Sequence, residues 1–351
     1  MTEVNQRQPV YIFGARQISV QPPLTEQWMD EPLEYTGDYV RAIEPDFKQY
    51  LPPNVSRRAG VILKRALLTA RLSMQDAGIS APDAIITGTG LGCIENTEIF
   101  LNDLTRSGEQ LLKPTCFMQS THNTVSATIA IDCHCNGYNS TYAHKGISFE
   151  LALQDAVLQL QRGDIATALV GAHDEMTPDY FTLLKRSGYL GTGVFAGETA
   201  VSFLLGREQA SAALCRICGL TLQYCPSAGV DEWGRLLDRF LEEQGIDAGS
   251  IDAVMTGLNG QPANDRVYRE MTASRFPPDK LLHYKHLFGE SYTASALGCY
   301  AAAVCLHQRR IPAWLFAEPG QPEHRRLHNI LVYNQFENKN HTFILLETCG
   351  R

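Results

Sequence analysis

The stretch from Ile147 to Asp174 leaves this chain few folds to choose from. Phe149, Ala152, Leu153, Ala156, Val157 and Leu160 recur at helical spacing along one face of 147–162, and Gly163-Asp164 closes that helix. The next run, ATALVGAHD at 166–174, is apolar and reads as a buried strand. Upstream, AIITGTGLG (84–92) is another apolar strand entering a glycine-rich loop, and NGYNSTYAH (136–144) reads as extended chain. Strands alternating with long amphipathic helices predict a layered α/β fold.

The rest of the chain extends this scheme. A short strand begins within 10–19. Ala59, Ile62, Leu63, Ala66, Leu67, Ala70 and Met74 define a helix over 57–78, ended by Gly78. Ser120 or Thr121 is placed to cap a helix running through Ile131. Further strands are expected at 199–205, 213–224, 252–258, 329–335 and 341–348, and helices at 231–244, 264–274 and 293–310. No linker interrupts the pattern. Two similar halves in one compact unit follow, 1–206 and 207–351, with a soft boundary at 206–212.

Bulk properties exclude several classes of function. A chain of 351 residues, 44% hydrophobic and 19% charged, is an ordinary globular protein. A net charge of −8 without a basic stripe argues against nucleic acid as a partner. No stretch approaches the roughly 18 apolar residues needed to cross a bilayer, so no membrane association is expected. The start, MTEVNQRQPVYIFG, has no signal-peptide core, which predicts a cytoplasmic location and reduced thiols for the ten cysteines. Gly88, Gly90 and Gly92 do not follow G-x-G-x-x-G, and close strand–helix packing accounts for them. Cys215-Arg-Ile-Cys218 lies in a strand-like run with no second pair, so no metal site is expected. No cofactor is implied.

Four short segments carry a resemblance. Gly163-Asp164 followed by TALVGAHDEMTPDYF resembles the ketoacyl synthase pattern RxGDxDxxLxGGxE. Gly197-Glu198-Thr199-Ala200 resembles its GEGA segment. Lys285 to Glu290, KHLFGE, before an Ala/Ser-rich helix, resembles K-x-x-x-G-H-x-x-x-A-A, and Asn334-Gln335-Phe336 resembles the NSFGFGG turn. They occur in the family's order across nearly the whole chain. The resemblance implies a thiolase-like five-layer αβαβα fold. It also implies decarboxylative Claisen chemistry, in which a cysteine at a helix N-terminus carries the acyl group and two histidines stabilise developing oxyanions.

Position by position, the resemblance leaves that machinery incomplete. The family nucleophile lies seventeen residues before the glycine of the Gly-Asp turn, which is Gly146 here, or Ala143 with a local shift. The first histidine position falls on Gly257, or on Asn259 with a gap, in MTGLNGQPANDRVY. The second falls on Glu290, with Lys285 and Gly289 retained around it. An ionised carboxylate accepts hydrogen bonds where an oxyanion site needs donors. A structural Lys285–Glu290 pair and a proton-transferring Glu290 both remain open.

The resemblance then implies a partner subunit, lacking the catalytic cysteine, like a chain-length factor. Its heterodimer mate would be a cysteine-bearing ketoacyl synthase, and its substrates would ride on an acyl carrier protein in type II polyketide biosynthesis. KHLFGE and LNGQPAND look most like the synthase-like proteins of aryl polyene and flexirubin systems. Dimerisation would use roughly 136–144 and 119–133. Phe117 and Met118 are either walls of an acyl pocket or ordinary core residues, and Phe336 is a further pocket candidate. Alternatives are a pure scaffold, or an active enzyme rearranged around Cys133-His134-Cys135, His144-Lys145 or Glu290.

Overall fold

One strand order is used twice. The computed structural model describes residues 8–107, 110, 112–189, 193–208, 213–226, 229–318, 320 and 327–349. Positions 209–212 of the expected boundary lie outside the described residues. In the first half β1 (Val10–Ile18), β2 (Ala84–Gly88), β3 (Tyr138–Tyr142), β4 (Thr167–Asp174) and β5 (Thr199–Gly206) lie in the order β3-β2-β4-β5-β1. In the second, β6 (Cys215–Tyr224), β7 (Ala253–Thr256), β8 (Leu281–His283), β9 (Asn329–Phe336) and β10 (Asn340–Glu347) lie in the order β8-β7-β9-β10-β6. Each half pairs its second strand parallel to two neighbours, then adds two antiparallel pairings. A short antiparallel contact between Val10–Ile12 and Cys215–Ile217 joins the halves into one ten-stranded sheet.

The helices are α1 (Pro53–Arg58), α2 (Val61–Asp76), α3 (Ile94–Ser107), α4 (Pro114–Met118), α5 (Thr124–Asp132), α6 (Ser148–Arg162), α7 (Pro178–Arg186), α8 (Val230–Gln244), α9 (Pro262–Ala273), α10 (Lys285–Phe288) and α11 (Ser295–Gln308). Side chains alternate across a strand, and that alternation sorts the layers. Ile85, Leu169 and Leu204 pack with α2 and α5, while Ile86, Val170 and Phe203 turn the other way, onto α6 and α11. In the second half Val254, Leu331 and Phe343 pack with α8 and α9, while Met255, Ile330 and Ile344 face the same middle pair. The result is αβαβα. Helix α11 is buried on every side from Ser295 to Leu306, which its alanines and cysteines make sterically possible.

Four elements differ from the sequence expectation. The helix expected over 57–78 is broken into α1 and α2 around Gly60. The helix expected from Ser120 or Thr121 starts at Thr124; its N-cap is Asn123, and the Thr121 hydroxyl bonds that of Thr124 instead (2.9 Å). Helices α3 and α7 were not among the expected elements; each buries a single residue, Ile94 and Leu184 respectively, both in a small cluster with Tyr180 and Phe181. Among the described residues no helix is long and apolar enough to cross a membrane.

Strand β1 is held against α2 at a point of backbone contact. A methyl group on Gly14 would lie 2.2 Å from the Ser73 carbonyl oxygen, beside a register shift between Ile12 and Gly14. Gly14→Ala is therefore expected to push β1 off α2 and to cost roughly 1–3 kcal/mol, read as a lower urea midpoint at unchanged slope.

Candidate functional site

A cleft of about 390 Å³ opens where α6, α9, α10 and α11 meet the turn after β9. Gly146, Asn259, Lys285, Glu290, Asn334 and Phe336 all line it. The structure thus brings together positions that are far apart in sequence. Gly257 is not among its lining residues: a Cβ there would meet the Tyr268 hydroxyl at 2.3 Å. Asn259, not Gly257, stands in the cleft.

Gly146 precedes the N-terminus of α6, where the helix end presents positive partial charge. Lys145 just before it adopts a left-handed φ of 49°, which marks a sharp turn into the helix. Phe336 lies over Gly146 so closely that a Cβ on residue 146 would fall 2.2 Å from Phe336 Cδ2. Tyr189, Tyr292 and Phe336 form a connected aromatic wall, with Tyr189 and Tyr292 centroids 4.5 Å apart. The space a side chain at 146 would need is filled by a ring.

Glu290 is buried and gives one oxygen, Oε2, to two donors: Lys285 Nζ at 2.7 Å and Asn259 Nδ2 at 2.7 Å. Its position is set by the turn at Gly289, whose φ of 79° suits glycine and whose missing side chain lets Gly197 approach. Glu290 N donates to Phe195 O and Gly197 N donates to Glu290 O, so the KHLFGE and GETA segments are pinned together. Asn259 is oriented in turn by Asp265, which accepts from Asn259 N and Gly260 N, and by Asn264 and Gln261, which donate to Asn259 Oδ1. The floor is a carboxylate held by an ammonium and an amide.

A second carboxyl lies beneath it. Glu150, on the first turn of α6, is fully buried and accepts from Asn334 Nδ2 at 2.6 Å through Oε1. Its other oxygen and the hydroxyl of Ser295, which lines the cleft, have no hydrogen-bond partner among the described residues. Burial pushes the Glu150 carboxyl up to about 7, with nearby Ser295, Asn334 and Lys285 pulling the other way. Sequence reasoning missed this residue. Its place on the buried face, between Phe149 and Leu153, was the available signal: a carboxylate in an apolar stripe.

The beta-ketoacyl synthase N-terminal domain matches residues 27–217, more than half the chain. The chain belongs to the beta-ketoacyl synthase family. Solved structures share its fold over essentially their full length. The ishigamide ketosynthase/chain length factor superposes with a TM-score of 0.82 at 18% identity, over 98% of this chain and 100% of that one. A beta-ketoacyl synthase from Burkholderia phymatum STM815 gives 0.82 at 14%, with the same coverages. A ketosynthase in complex with its chain length factor from Xenorhabdus doucetiae gives 0.79 at 14%, over 99% and 100%. No curated protein matches the sequence.

Of the remaining candidates, Lys145 lines the cleft and the others do not. Cys133 ends α5 with its thiol pushed up by burial, His134 takes a left-handed φ of 56°, and Cys135 Sγ contacts Pro82 O at 3.1 Å. Neither they nor His144 are among the cleft's lining residues. Phe117 and Met118 lie on α4, 56% and 70% exposed, outside the core of the chain. All ten cysteines are free, and no group of three or more potential metal ligands is gathered among the described residues.

The Glu150 carboxyl should be visible in stability. Its folded-state value is raised above the ordinary 4.5, so the native protein holds a proton the unfolded chain releases between about 4.5 and 7. Stability from this group is lost as pH rises through that window. Glu150→Gln is expected to gain on wild type by on the order of 3 kcal/mol between pH ~4.5 and ~8, measured as the difference in unfolding free energy.

Proposed function

We propose that this chain is a non-catalytic, chain-length-factor-like subunit that pairs with a cysteine-bearing ketoacyl synthase in type II, aryl polyene-like polyketide biosynthesis. The observation that carries the reading is the Phe336 ring packed on Gly146. The nucleophile position offers no thiol, and a side chain there has no room. Glu290 and Asn259 supply an ion-paired carboxylate and an amide where the family mechanism needs imidazoles.

A surface suited to a partner supports the same reading. Strand β3 is the outer strand of the first half, paired only with β2, so one row of its backbone groups is open to another chain. Tyr138 on β3 and Ile131 on α5, which packs on β3 and is 77% exposed there, present large apolar side chains to solvent, as do Phe117 and Met118 on α4. Such groups are costly to leave in water and fit an interface. In this proposal Phe117 or Met118 reaches the end of the partner's acyl pocket and limits product length by volume.

Co-expression with a cysteine-bearing synthase tests the pairing. A stable 1:1 complex is expected, and the isolated chain should take up no radiolabelled acyl group from an acyl carrier protein. A solitary homodimer that becomes acylated would sink the reading. Within the complex, Phe117→Ala should lengthen the products; an unchanged product range with an intact complex would leave the subunit a scaffold only.

A further inference from the structure

Helix α3 is held almost entirely by its first turns. Ile94 is its one buried residue, so little apolar area anchors it. Two polar side chains from the chain between β4 and α7 supply the rest. Glu175 Oε1 accepts from Glu95 N at 3.0 Å, and the Thr177 hydroxyl donates to the Glu98 carboxylate. Helix α4 leans on α3 in turn, with the Phe100 and Phe117 rings 5.2 Å apart.

Glu175 is the unusual member of this tether. It is buried and, among the described residues, engages no ion pair. The cation near it, Arg65 on α2, is already committed to Glu44 and Glu198. The other titratable groups facing it bring no positive charge: Cys93 and Glu95 at the start of α3, and Glu198 just before β5. An ionised carboxylate here would lose its water without gaining a cation of its own. Burial pushes the Glu175 carboxyl up to about 7; the Glu95 N–H and Arg65 oppose this, and the charges of Glu95 and Glu198 add to it.

Lifting α3 would return Glu175 to water, where a carboxyl has its ordinary range. The closed form therefore holds a proton that the open form releases, and closure weakens as pH rises from about 4.5 through about 7. We propose that α3 and α4 form a flap that is closed over protonated Glu175 and opens when this carboxyl ionises. Helix α4 carries Phe117 and Met118, so opening moves two exposed apolar side chains as a unit. The flap does not depend on the partner-subunit reading, and it is tested on the chain alone.

The experiment is hydrogen exchange of the purified chain at pH ~6 and pH ~8.5, read by peptide mass spectrometry and corrected for intrinsic exchange. Protection of the α3 amides is expected to fall about tenfold between the two, while α2 and α6 in the core keep theirs. Glu175→Gln is neutral at both and should keep α3 protected throughout. Glu98→Gln weakens the second tether, so α3 protection should be lower at both pH values yet show the same fall. That variant decides if Glu175→Gln fails to fold, and absence of the fall there counts against the flap. Unchanged α3 protection in the wild type, an equal fall in Glu175→Gln, or a matching fall in α2 and α6 would overturn the inference; the last would mean global unfolding.

Discussion

The burial of α6 and α11 between the two halves of the sheet is the constraint on which the cleft depends. Both helices begin at it, α6 just after Gly146 and α11 at Ser295, and both are packed from two sides by strand residues pointing inward. A helix held this way has little freedom to shift when a residue at its start changes. The side chains at the cleft interlock between these fixed helix starts, with Phe336 closing over Gly146 and Asn334 reaching across to Glu150.

The cleft is built on an amide-and-carboxylate network. Tyr268 donates to Asn334 Oδ1 and accepts from Gln335 N, Gln335 donates to Asn264, and Asn264 donates to Asn259, which donates to Glu290. Each member fixes the next, and buried polar networks of this kind specify one arrangement when nearly every atom is satisfied. The two atoms left over, on Glu150 and Ser295, stand out for that reason.

Much of this was legible in the sequence, for identifiable reasons. Buried strands such as 166–174 and the stripe on 147–162 are covered on all sides, so their apolar periodicity is complete. The KHLFGE and Asn334-Gln335-Phe336 segments could be placed because they resemble ketoacyl synthase motifs and occur in the family's order. Helices α3 and α7 escaped although they are amphipathic; each lies at the surface with one buried residue, next to a small satellite cluster and not the main core. Glu150 escaped because a lone carboxylate in an apolar stripe reveals its partner only when α6 and the turn after β9 are brought together across 184 residues. The choice between Gly257 and Asn259 depended on which side chain faces the cleft, and spacing alone does not encode that.

The doubled strand order has a further consequence. Gly146 and Glu150 belong to the first copy of the pattern, and Asn259, Lys285, Glu290 and Asn334 to the second. The cleft lies at the seam between the two repeats of the strand order, each supplying different side chains to it. If the copies descend from one duplicated ancestor, that ancestor would have needed to self-associate to own such a site. A protein cut at the seam would regain the cleft only by reassembly of its fragments.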